Sequence, residues 1–179
     1  MGWGSLILIS SAIIASLINA RFMGILNLHS GDTSLVQAIV DIFVNVTFMV
    51  LPLWFCGKLL SKTNFRMLDL LGTQMLARWP LQMSGLAIGS LPIMQELSSR
   101  FINMEPREVL DTLSAVEITT LIVVGFLVLA INVWTITLMF NSYRISCNLV
   151  GMRAGISFGS VLIIAGPLST LCLYSLPPF

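Results

Sequence analysis

Charge is what this sequence has least of: nine Lys and Arg with eight Asp and Glu make 9% of 179 residues, against roughly a quarter in ordinary soluble domains. A water-soluble fold does not fit that composition. The net charge of +1 comes with no basic cluster, so the electrostatic footprint of a nucleic-acid-binding protein is missing and nucleic acid is not an expected partner. Histidine occurs once, at His29, which removes most metal-site and haem-ligation schemes. A solvated loop histidine outweighs a proton sensor there. The cysteines, Cys56, Cys147 and Cys172, are odd in number and far apart, fitting neither a disulfide framework nor a zinc motif. They read as apolar packing residues.

Catalytic patterns are missing too. The sequence has no GxSxG elbow, HExxH, CxxC pair, Walker loop or dinucleotide fingerprint. Ser10, Ser11, Ser16 and Ser84 lack an intramembrane histidine base. Asp41 is the one acidic residue deep in an apolar run, which argues against a two-aspartate protease. The expectation is a protein that is not an enzyme and carries no cofactor and no metal.

What the chain has instead is apolar length, with 56% hydrophobic residues. A predominantly apolar run of about 20 residues spans the roughly 30 Å hydrocarbon core as a helix, and five such stretches can be drawn. Helix one is Trp3 to Ala20; a signal peptide is the competing reading, disfavoured because no Lys or Arg precedes the run and Leu17 to Ala20 is a poor cleavage site. Arg21 to Ser34 is a loop. Helix two runs from Leu35 to Phe55, with Pro52 expected to bend or end it. Helix three, Leu68 to Leu91, carries Arg78 near its middle, followed by Trp79 and Pro80. Pro92 to Ala115 is the long polar connection, where apolar spacing predicts two short interfacial helices. Helix four is Ile118 to Phe140, with Glu117 at its entrance, and helix five is Ala154 to Ser175.

The fold class expected is therefore all-α: one polytopic membrane domain over residues 1–179 with five transmembrane helices. Lys58, Lys62, Arg66, Arg144 and Arg153 fall on one side, against Arg21, Arg100 and Arg107 on the other. The positive-inside rule places the first group, and the N-terminus, in the cytoplasm and the C-terminus outside.

Within the spans, Asp41, Asn45, Gln74 and Arg78 are the polar candidates. A guanidinium at a helix centre costs about 2.5 to 3.5 kcal/mol on insertion, so Arg78 needs an acceptor. Asp41 is the expected one, about a helical turn away on the neighbouring antiparallel helix, supported by Asn45 and Gln74. A buried strut between helices two and three outweighs a substrate or proton site. Gly85 with Gly89, and Gly151 with Gly155 and Gly159, mark expected close helix contacts, within the chain in preference to a homo-oligomer.

Two segments carry a family resemblance: Asn64 to Pro80, NFRMLDLLGTQMLARWP, and Trp134 to Gly155, WTITLMFNSYRISCNLVGMRAG. With the order of spans they resemble the Yip domain family, small five-span membrane proteins named for members that interact with Ypt/Rab GTPases. The likeness is to the short bacterial members, without the sizeable cytoplasmic stretch that eukaryotic members carry before helix one. It implies five spans, an inward N-terminus, an outward C-terminus and a bacterial cytoplasmic membrane. The topology and the missing catalytic patterns point to a non-enzymatic role through membrane or protein association. The bilayer is then the primary partner, with a membrane protein or a second copy as the other. The alternative is a small permease or channel with a polar path near Asp41 and Arg78. A lipid-modifying enzyme ranks below both.

Overall fold

The computed structural model describes residues 2–17, 20–22, 24–26, 29–30, 33–61, 63–89, 91, 93, 96–97, 100 and 113–175. Its elements are α1 (Gly2–Leu17), β1 (Ala20–Arg21), β2 (His29–Ser30), α2 (Leu35–Leu60), α3 (Met67–Ala77), α4 (Trp79–Gly89), α5 (Ala115–Ser146) and α6 (Met152–Ser175). The two strands form a two-residue antiparallel ladder, Ala20 opposite Ser30 and Arg21 opposite His29. Among the described residues everything else regular is helix. α2, α5 and α6 are each long and apolar enough to cross a membrane.

The boundaries follow from local chemistry. Ser34 caps α2 by accepting the Gln37 N–H at 3.1 Å. α5 opens on a capping box in which Ser114 accepts from the Glu117 N–H while the Glu117 carboxylate accepts from the Ser114 N–H at 2.7 Å. Arg100 joins that carboxylate at 3.1 Å and Glu96 at 2.6 Å, tying the preceding connection to the start of α5. Between α5 and α6 the chain reverses through Asn148 (φ 50°) and Gly151 (φ 71°), left-handed positions that Asn and Gly tolerate best.

Three sequence expectations change here. α2 runs through Pro52 and past the expected end at Phe55 to Leu60. Proline removes one hydrogen bond, and the residues beyond it are held by packing: Leu53 is fully buried and Gly57 lies against Cys147 and Phe65. The expected single helix Leu68 to Leu91 is two helices, broken at Arg78. Helix one does not reach Ala20, which with Arg21 forms the first strand of the ladder. The interfacial helices expected in Pro92 to Ala115 lie largely outside the described residues.

α1 packs on α2 and on α3 and α4, α5 covers α3 and α4 from another side, and α6 lies along α2. Gly4 meets Gly72 while Gln82 bonds Ser11, so α1 runs parallel to the α3–α4 pair. The core centres on Met49, Leu53, Leu70, Met139, Tyr143 and Phe158. Outward faces are equally apolar: Phe126, Leu129 and Val133 of α5 are all more than half exposed. A continuous apolar exterior of this kind is stable against lipid and not against water.

Candidate functional site: a polar centre among the helices

Gln37, Asp41, Asn45 and Arg78, buried polar side chains of α2 and the α3–α4 break, gather where the segment after α1 folds back against α2. Gly24 and Ile25 are buried there. This return brings Arg21 to Asp41, Nε to Oδ2 at 2.9 Å, with Nη2 at 3.4 Å from Oδ1. Gln37, one turn earlier on α2, donates to Asp41 Oδ1 at 2.9 Å. The Asp41 carboxylate has no exposure and Arg21 has 19%. An aspartate in a dry setting must be neutralised or paired, and here a guanidinium and an amide do both.

Asn45 continues the same face of α2. Its Nδ2 donates to the Phe22 carbonyl at 2.9 Å, closing a backbone acceptor of the returning segment. Arg78 donates from Nη2 to the Asn45 backbone carbonyl at 3.2 Å. The expected Asp41 to Arg78 ion pair is therefore not formed: Arg21 occupies the carboxylate, and among the described residues no carboxylate pairs with Arg78. Gln74 does not support this cluster either. It turns to α5, donating to the Met139 carbonyl at 2.8 Å and to Ser142 Oγ at 3.3 Å.

Arg78 sits at the break itself, with φ −89° and ψ −2° and its N–H directed at the Met75 carbonyl at 3.3 Å. Pro80 is the cause: it has no N–H for the Leu76 carbonyl four residues back, and it disfavours helical geometry just before it. Below the break, Gln82 of α4 holds α1 by sharing its Nε2 among the Ile7 carbonyl (2.8 Å), Ser10 Oγ (3.2 Å) and Ser11 Oγ (2.6 Å). A cavity of about 20 Å³ touches Ser11, Phe22, Asn45 and Arg78, enough for one water. Asn45 Oδ1 and Gln74 Oε1 are buried acceptors without a partner.

Of the candidates read from sequence, Asp41, Asn45 and Arg78 thus meet in one region, whereas Gln74 belongs to the α3–α5 contact. Sequence reading missed Arg21, Gln37 and Gln82. Gln37 was detectable, being four residues before Asp41 on one helical face. Arg21 was not, because nothing local announces that its loop folds inward.

The glycines divide differently from expectation. Gly85 is buried in α4 and Gly89 ends that helix. A Cβ placed on Gly151, Gly155 or Gly159 would meet nothing within 4 Å, so the expected close contact inside the chain is not made there. α6 turns Ala154, Ser157, Phe158, Val161 and Ala165 inward. The tight approaches are instead at Gly4, where a Cβ would lie 2.9 Å from the Gly72 carbonyl oxygen, and at Gly57, where it would lie 2.7 Å from Cys147 Sγ.

Together these features define a helical, membrane-embedded protein closed by a buried polar centre. No family model, curated protein or solved structure matches the chain.

Proposed function

We propose that this chain is a non-enzymatic, multi-pass membrane protein of Yip type that acts by associating with other transmembrane helices. It crosses the bilayer five times, α1 and the α3–α4 pair joining α2, α5 and α6, with the N-terminus in the cytoplasm and the C-terminus outside. The membrane is the bacterial cytoplasmic membrane.

The observation that carries the association reading is the open face of α6. Gly155, Gly159 and Gly166 lie along one side of that helix with free space over each. Small residues at this spacing let a second helix approach to backbone contact. The polar centre supports the same reading from inside, since Asp41 is already spent on Arg21 and Gln37. Energy transfer between two labelled populations in liposomes tests it. A Gly155→Leu variant with an unchanged melting temperature should lose the signal; an unchanged signal refutes association through α6.

A permease is the second reading, favoured by one observation. A helix broken at a buried arginine, beside the unpartnered Asn45 Oδ1, resembles the discontinuous helices that transporters use for binding. Solute flux into liposomes that Asp41→Asn abolishes without unfolding the protein would select it.

A further inference from the structure

α1, α2 and α3 leave between them an apolar groove of about 560 Å³, well within the range of about 300 to 1,000 Å³ typical of ligand sites. α2 lines it with Phe43, Thr47 and Leu51, α3 with Met67, Leu71 and Met75, and α1 forms the third wall. Among the described residues no charged side chain lines it. Along α2, from Leu35 to Leu51, it extends about 24 Å. That space over that length corresponds to a channel about 8 Å from wall to wall, narrower than the roughly 10 Å diameter of a helix with its side chains. A single extended hydrocarbon chain fits along it.

At one end both walls run on into cations. Lys58 follows Leu51 by seven residues and Thr47 by eleven, which returns it to the same face of α2. Arg66 immediately precedes Met67 as the N-cap residue of α3. Both are exposed, and Lys58 Nζ stands 5.3 Å from the centre of the Phe65 ring, which keeps it at the turn joining α2 to α3. Asp69, the acidic residue nearest in sequence, lies in the first turn of α3 and makes no ion pair with Arg66 among the described residues. Among the described residues neither cation is in an ion pair.

We propose that this groove is a lipid site, holding one acyl chain of an anionic phospholipid whose phosphate is bound by Lys58 and Arg66. The inference rests on the membrane reading above but not on association through α6. Basic residues at a membrane surface favour anionic lipid, and the orientation that puts these two in the cytoplasm puts them at the more anionic leaflet.

The test is lipid retention by the full chain, purified in mild detergent from nanodiscs containing equal phosphatidylglycerol and phosphatidylcholine, with bound lipid read by native mass spectrometry. One phosphatidylglycerol per chain is expected. In the double variant Lys58→Gln, Arg66→Gln, whose sites are exposed and not needed for packing, preference for phosphatidylglycerol should fall about thirtyfold. Thr47→Phe, which fills the groove, should lose bound lipid of both kinds while the thermal melt is kept. No retained lipid, retention without headgroup preference, a preference the double variant keeps, or another polypeptide in the groove overturns the proposal. Orientation is read separately by a reporter on the C-terminus, so a wrong topology and an empty groove are distinguishable.

Discussion

Arg21 Nε and Asp41 Oδ2 stand 2.9 Å apart although twenty positions separate them in the chain, and this contact fastens the segment after α1 to the second turn of α2. Breaking a buried pair strands the remaining charge, at a cost of about 3 to 5 kcal/mol. Because Arg21 keeps 19% exposure, Asp41→Asn and Arg21→Gln should each cost about 3 kcal/mol, the low end. Thermal unfolding in micelles should show the double variant recovering part of that loss. Asp41→Asn and Arg78→Gln should instead be additive, since those two side chains are not paired; a coupling above about 0.5 kcal/mol contradicts the arrangement.

Arg78→Met should ease insertion of the α3–α4 segment by about 2.5 to 3.5 kcal/mol, the cost of arginine at a helix centre. The break itself should persist, because Pro80 and not Arg78 removes the hydrogen bond. A translocon insertion assay on the isolated segment measures the first, and Pro80→Ala, which restores the N–H, should raise its helicity by circular dichroism.

The helices α2, α5 and α6 are legible in the sequence as long apolar runs. The route between them is less so. Pro52 reads as a bend or end close to Phe55, yet Leu53 and Gly57 find enough packing to carry α2 on to Leu60. Asp41 reads correctly as a buried carboxylate needing a cation, but counting spans leaves Arg21 in an outer loop and nominates Arg78. Inward folding of a short loop is a tertiary event, set by Ile25 packing and the Asn45 bond to Phe22, and leaves no periodic signature. The α6 glycines illustrate the same limit, since spacing marks a smooth helix face without saying what it faces.

Two glycine classes should respond oppositely to alanine. At Gly57 the new Cβ would sit 2.7 Å from both Cys147 Sγ and the Phe65 ring, an overpacking worth about 1 to 3 kcal/mol of destabilisation. At Gly159, with nothing within 4 Å, alanine should be neutral or stabilising by about 0.5 to 1 kcal/mol through helix propensity. Melting temperatures of the two single variants decide this.

Burial pushes the Cys147 thiol, just beyond the end of α5, from its ordinary value of 9.0 up to about 12. The folded chain therefore keeps its proton where the unfolded chain releases it. This contribution to stability is complete below about pH 9 and is lost as pH rises toward 12. Maleimide at pH 8 should leave Cys147 unmodified in the folded protein and label it after denaturation; rapid labelling without unfolding would place the thiol elsewhere.

The outward face of α6 is tested most directly by cysteine cross-linking in native membranes, with Cys56, Cys147 and Cys172 replaced by serine. Single cysteines at Gly155, Gly159 and Gly166 should yield covalent dimers on oxidation, whereas cysteines at Ser157, Val161 and Ala165, which point inward, should not. Dimers that follow the inward positions, or no dimers at any of the six, would contradict association through this helix.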